Sequence, residues 1–167
     1  DFPLSKISLI FGCGGNRDIY KRSMMGSVAE NYCENVYLTD DNPRKENPRI
    51  IRNQIKKGFK HRKFFEISSR SKAISFAINK LNSGDVLIVA GKGHENYQEY
   101  KKKIFFSDKL EILKAITKKN KNLSNSLKTN ILKETLGNES ISKKISIKLA
   151  SINSKNIKKN TIFVGVK

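Results

Sequence analysis

The sequence predicts an α/β fold: a Rossmann-like, doubly wound and mainly parallel sheet. Strand-length and helix-length patterns alternate from residue 6 to residue 90 in a β-α-β-α-β-α-β rhythm. The run at residues 86–90 is nearly all apolar, as a central strand covered on both faces requires. The apolar segments are punctuated by Gly, Asn, Asp and Pro turns, which marks the ends of the elements.

Residues 6–11 form a short apolar run closed by Gly12, the pattern of a buried strand leaving for a loop. Residues 20–32 carry Met24, Met25, Val28 and Ala29 at helical spacing. Residues 35–39 read as a second strand that stops at Asp40-Asp41-Asn42-Pro43. A helix over residues 48–59 opens with Pro48, whose fixed φ suits a first helical position, and places Ile50, Ile51, Ile55 and Phe59 on one side. Residues 63–67 form a third strand. Residues 70–81 form a helix with Ala73, Ile74, Ala77, Ile78 and Leu81 on its buried stripe, ended by Asn82-Ser83-Gly84. Residues 103–106 suggest a short edge strand, and a last helix runs from Asp108 to about Thr117 with Asp108 and Glu111 as a capping signal. Residues 118–126 are polar and aperiodic and read as a linker. Beyond them, residues 127–136 give a short helix pattern, and residues 144–151 and 161–166 give strand patterns. So short a segment buries little core alone, so residues 127–167 are expected to be the start of a second, truncated domain.

No apolar run approaches the roughly 20 residues that cross a bilayer, so no membrane partner is expected. A signal peptide is not expected either. Cys13 and Cys33 make neither a disulfide framework nor a metal quartet, which points to a reducing cytoplasm. The net charge of +19 is divided unevenly, +6 in residues 1–100 (17 basic, 11 acidic) and +13 in residues 101–167 (17 basic, 4 acidic). Lysine dominates it and travels with Asn and Ile, which reads as codon drift rather than a nucleic-acid partner. A basic nucleic-acid-binding module is the alternative, without an aromatic-interleaved basic stripe to support it.

In a parallel sheet, ligands bind beyond the carboxyl ends of the strands, which selects the loops 12–21, 40–48 and 91–98. Gly12-Cys13-Gly14-Gly15-Asn16-Arg17 is a Gly-rich turn that ends on a fixed cation. The glycines are equally consistent with a tight turn chosen for sterics. This turn does not complete G-x-G-x-x-G, and G-x-x-x-x-G-K-[ST] is found nowhere, so no ATP phosphate cradle is expected. In Asp41-Asn42-Pro43-Arg44, Pro43 keeps Asn42 out of the α region, an Asn amide can donate and accept, and an Arg fork can clamp a carboxylate. Taken alone it is an ordinary surface turn. Gly91-Lys92-Gly93-His94-Glu95 supplies close backbone approach and a carboxylate. A lone His94 reads as structural, and with His61 the only other histidine no metal site is expected. Together the loops gather Arg17, Asn42, Arg44 and Glu95 on one edge. Two cations, an amide and a carboxylate suit a zwitterion with more than one carboxylate.

F-G-C-G-G-N-R-D, T-D-D-N-P-R and V-A-G-K-G-H-E-N-Y-Q, in this order over some 115 residues, resemble the C-terminal domain of the Mur ligases that add meso-diaminopimelate to a peptidoglycan precursor. The resemblance implies a domain over residues 1–117 that binds this amino acid. It assigns Arg17, Asp41, Asn42, Arg44, Gly91 and Glu95 to the site, the arginines on a carboxylate and Glu95 on the ammonium, with no catalytic residue and no metal ligand. It also implies ATP and Mg2+ in the full ligase, which convert a D-glutamate γ-carboxylate of UDP-MurNAc-L-Ala-D-Glu to an acyl phosphate for attack by the amine. The ATPase domain lies outside this chain, so residues 1–167 alone are expected to bind neither ATP nor Mg2+ and to be inactive. One departure is Asn16, where the family commonly has Asp. The tail, with Ser151-Ile152-Asn153-Ser154-Lys155 and Asn160-Thr161-Ile162-Phe163-Val164-Gly165-Val166, is similar to the N-terminal, UDP-precursor-binding domain of the D-alanyl-D-alanine-adding Mur ligases. That likeness implies a fused bifunctional ligase, with Ser154 the position carried over. Asn153, Lys155 and Asn160 depart from its pattern.

Overall fold

The computed structural model describes residues 6–61, 64–135, 149–151 and 161–164. Strands β1 (Ile7–Phe11), β2 (Asn35–Leu38), β3 (Phe65–Glu66) and β4 (Val86–Val89) alternate with helices α1 (Tyr20–Tyr32), α2 (Pro48–Lys56) and α3 (Arg70–Lys80). A hairpin of β5 (Tyr97–Tyr100) and β6 (Lys102–Phe105) follows, then the long helix α4 (Asp108–Thr135), β7 (Leu149–Ser151) and β8 (Thr161–Val164). The main sheet has the order β3-β2-β1-β4-β8-β7, with every pairing parallel. The chain moves outward from β1 through β2 to β3 and then returns to the other side of β1 at β4. The carboxyl ends of β1 and β4 therefore border the point where the strand order reverses.

Alternation along the strands divides the core. Ile10, Tyr37, Leu87 and Val89 pack with Ala73, Ile74, Ala77 and Ile78 of α3 and Ile112 and Ala115 of α4. Phe11, Val36 and Leu38 point to the other face, against Ala29 of α1, Ile51 and Ile55 of α2, and Phe59. The period of two is the pleat made visible, and both faces of the central strands are covered. Asn47 caps α2 through Arg49 N, and Ser69 caps α3 through Lys72 N.

Three expectations change. Residues 118–126 are helical, inside the 28-residue α4, and do not form an aperiodic linker. That stretch holds no Gly or Pro, and Lys has good intrinsic helix propensity. Its anchor is Lys119, which extends the buried stripe of Ile112 and Ala115 and donates to Ile78 O and Leu81 O at 2.7 Å, satisfying carbonyls at the end of α3. A pattern search counts that lysine as polar. Second, the strand expected at residues 103–106 is no edge of the main sheet. It is β6, paired antiparallel with β5 in a sheet of its own. Third, β7 and β8 join the main sheet, β8 beside β4 with Ile88 opposite Phe163. A second domain over residues 127–167 is not evident among the described residues, and residues 144–148, Ser154 and residues 165–167 lie outside them.

Candidate functional site

The loops after β1, β2 and β4 meet at one edge of the sheet, held together by contacts that require glycine. A Cβ on Gly12 would lie 2.2 Å from Thr39 O, and one on Gly15 would lie 1.9 Å from Pro43 O. The Gly15 N–H donates to Asn42 O at 2.8 Å, and Arg44 Nη1 donates to Gly15 O at 2.7 Å. Arg22, buried under the first loop, donates to Gly14 O at 3.0 Å and pairs with Glu46 at 2.8 Å. The Arg22 hydrogen bonds to Glu46 are the main cause that holds the Glu46 carboxyl below its ordinary value; burial opposes them, and the Asn16 N–H and the Arg22 charge add to them.

Asn42 is the hub of the edge. Its Nδ2 donates to Glu95 Oε2 at 2.8 Å, while its Oδ1 accepts from Lys92 Nζ at 2.7 Å and from Glu99 N at 2.9 Å. Lys92 has a side chain fully shielded from solvent, and its ammonium lies 3.4 Å from Asp41 and 3.5 Å from Glu95. Asp41 is buried, with its carboxylate turned towards Lys92 and against Gly91, whose φ of 118 favours glycine. Arg44 sits at a φ of 56 and pairs with Glu99 at 3.5 Å. A Cβ on Gly14 would lie 2.8 Å from Arg44 Nη1 and 3.6 Å from Arg17 Cγ, so the two arginines flank one glycine. Arg17 is exposed and has no ion-pair or hydrogen-bond partner among the described residues.

Behind this edge stand residues that sequence reasoning did not single out. Strand β5 buttresses the second loop: Gln98 Nε2 donates to Asp40 O at 3.2 Å and to Asp41 O at 2.9 Å, and Arg44 N donates to Glu99 O at 2.8 Å. Tyr100 donates to Asp40 Oδ2 at 3.0 Å; burial first, and then the Asp40 charge, push its phenol well up. Asp40 also pairs with Arg52, which bonds Glu66 at 2.8 Å. Arg70 donates from Nε and Nη2 to Asp108 at 2.7 Å and from Nη2 to Ala90 O at 2.9 Å, fixing the start of the third loop. The aromatic residues Tyr97 and Tyr100, which favour strands, were the one available signal for β5, without an alternation to support it. For Lys92 and Arg70 there was none, because buried cations look like surface ones in a sequence.

The expected residues thus divide. Asn42 and Glu95 touch, Arg17 and Arg44 stand together beside Gly14, Gly91 borders Asp41, and Asp41 faces inward. Arg44 lines a groove of about 760 Å³ with Lys45, Glu46, Pro48, Tyr100 and Lys102. Among the described residues no group of three or more His, Cys, Asp or Glu is placed to hold a metal ion, and no helix is long and apolar enough to cross a membrane. His94 and His61 are exposed.

Glycine-rich turns and charged side chains are gathered at the strand ends of an α/β domain, the edge at which ligands bind in sheets of this kind. The chain belongs to the Mur ligase family: the family described as Mur ligase, glutamate ligase domain, matches residues 1–93. Similar proteins include UDP-N-acetylmuramoyl-L-alanyl-D-glutamate--2,6-diaminopimelate ligase of Rickettsia rickettsii, 49% identical over 113 residues, which are 67% of this chain and 24% of that protein. The ligase of the same name from Chlorobium phaeobacteroides is 46% identical over 119 residues, 71% of this chain and 23% of that protein. A solved structure of such a ligase matches with a TM-score of 0.64 at 40% identity, covering 67% of this chain and 24% of the other. The chain therefore spans about a quarter of the length of these relatives.

Proposed function

We propose that this chain is the amino-acid-binding part of an ATP-dependent amide ligase of peptidoglycan precursor synthesis, a cytoplasmic enzyme, and that it binds meso-diaminopimelate for addition to UDP-MurNAc-L-Ala-D-Glu. The observation that carries this reading is the convergence of Asn42, Glu95, Arg17 and Arg44 from three loops onto one strand-end edge. Arg17 and Arg44 suit a carboxylate, Glu95 suits the ammonium on the same carbon, and Asn42 with the Gly91 backbone would hydrogen-bond the same end of the amino acid. Asp41 supports the site from beneath through Lys92.

The chain has no phosphate-cradling motif for ATP and, among the described residues, no metal cluster, so no step through ATP or Mg2+ is assigned to its residues. Its own contribution is positional. An amine held beside its acceptor reacts as though greatly concentrated, and a site that fixes the distal carboxylate and ammonium leaves the other amine to be aimed at the second substrate. In this reading the edge residues bind and orient the amino acid through ion pairs and hydrogen bonds, and no catalytic residue is assigned among them.

Calorimetry on the 167-residue chain tests the reading. The expected result is affinity for meso-diaminopimelate at least about tenfold above that for lysine, which lacks the second carboxylate. Equal affinity for both in a folded sample overturns it. The proposal extends to residues 127–167 as the beginning of a fused D-alanyl-D-alanine-adding ligase with Ser154 in its UDP-precursor site, supported by the tail motif alone. The neighbouring coding sequence checks that part: it requires a second G-K-T phosphate loop downstream.

A further inference from the structure

We propose that Lys92 is a positioning residue for this site: its buried ammonium fixes which way the Asn42 amide faces, so that Asn42 offers the ligand an N–H donor and holds Glu95 in place. The inference rests on the proposed function for the identity of the ligand, but its structural part stands without one.

An Asn side chain can present its oxygen or its nitrogen in either direction, and its partners decide which. Here both lone-pair directions of Asn42 Oδ1 are taken, by Lys92 Nζ at 2.7 Å and Glu99 N at 2.9 Å. Neither donor can become an acceptor: a lysine ammonium has no lone pair and a backbone N–H only donates. The flipped amide would set Nδ2 against two donors and Oδ1 against the Glu95 carboxylate, three unfavourable contacts in a buried place. Nδ2 is therefore committed to Glu95 by one hydrogen, at 2.8 Å, and keeps a second. A group read by that hydrogen must be an acceptor, such as a carboxylate oxygen; an ammonium would be refused.

Electrostatics gives Lys92 a second part. Asp41, from beneath, and Glu95 each bring a carboxylate near the Lys92 ammonium, which lies 3.4 Å from the first and 3.5 Å from the second. The Tyr97 ring also faces the ammonium, 5.6 Å from it. A fully shielded lysine is costly unless such partners surround it, so its place among these three side chains is a property of the site rather than of a solvated surface.

Two variants separate orientation from mere filling. Lys92→Met keeps the stem and has no donor, whereas Lys92→Gln keeps an N–H for Asn42 Oδ1 without the charge. In 1H–15N spectra of the ligand-free 167-residue chain, the Asn42 amide proton that faces Glu95 is expected downfield of the exposed asparagines. It should stay there in Lys92→Gln and return to the exposed cluster in Lys92→Met. An unshifted Asn42 amide in the parent chain, or one that Lys92→Met leaves in place, overturns the proposal, and the first of these needs no variant to fold. In calorimetry, Lys92→Met is expected to weaken meso-diaminopimelate binding about tenfold or more and Lys92→Gln by no more than about threefold. Equal losses in two folded variants show a filler and overturn it. If the parent chain binds no diaminopimelate, the proposed function fails, and the amide shifts still decide the role of Lys92.

Discussion

Glu46 shows how single side chains tie the site together, since it sits in the second loop yet anchors the first through Arg22 and the Asn16 N–H. Its carboxyl is lowered in the fold, so its contribution to stability is complete above the ordinary carboxylate value and is lost as pH falls through the lowered one. Glu46→Gln is therefore expected to be less stable than the parent near neutrality, with the gap closing below about pH 4. Urea midpoints across pH measure this, and a gap that does not change with pH contradicts it. Asn16 explains its own departure from the family pattern. It lies at a φ of 53, a conformation that Asn and Asp both tolerate, and the contact it makes is through its backbone. At this level the sequence was informative about Arg17, Asn42, Arg44 and Glu95, because turn residues beside strand ends are visible as patterns. It was silent on Lys92 and Arg70, where burial decides the role and no local pattern records burial.

The helices repeat the lesson with packing in place of charge. Gly26 lies where α1 crosses α2, and a Cβ there would come within 2.3 Å of Ile55 O and 3.1 Å of the Phe59 ring. On helix propensity alone, Gly26→Ala would stabilise α1 by about 1 kcal/mol. Overpacking against backbone that cannot yield costs about 1–3 kcal/mol or more, so the net effect is expected to be destabilising. Denaturant unfolding that shows Gly26→Ala as the more stable chain overturns this account of the α1–α2 crossing. The boundaries of α1 and α3 could be placed from their periodicity to within a residue or so, whereas α4 was cut short because Lys119 hides inside its buried stripe. The hairpin strand β5 escaped because it lies directly after a glycine-rich loop and carries polar residues that bond the second loop. Its pattern answers to the site and not to a core.

Taken whole, the molecule carries +19 on 167 residues, with +13 of it in residues 101–167. Such self-repulsion weakens the compact state, and salt relieves it as the Debye length shrinks from about 30 Å at 0.01 M to about 8 Å at 0.15 M. The melting temperature is expected to rise over that range, and scanning calorimetry that shows a fall would mean that the ion pairs outweigh the net charge. The parallel sheet was legible from the strand–helix rhythm. The joining of β7 and β8 to β4 was not, because a pattern shows that a segment is a strand and leaves open which edge accepts it. The all-parallel sheet also fixes how far apart in sequence the contacts that assemble the site lie. The β5–β6 hairpin joins residues only a few positions apart, β1 meets β2 across about one helix, and the β1–β4 pairing spans most of the first hundred residues. Because the three loops of the site hang from β1, β2 and β4, no folding intermediate that lacks the central pairing holds a preformed edge. The candidate site therefore shares the long-range character of the β1–β4 pairing: its edge is complete only when strands far apart in the chain lie side by side.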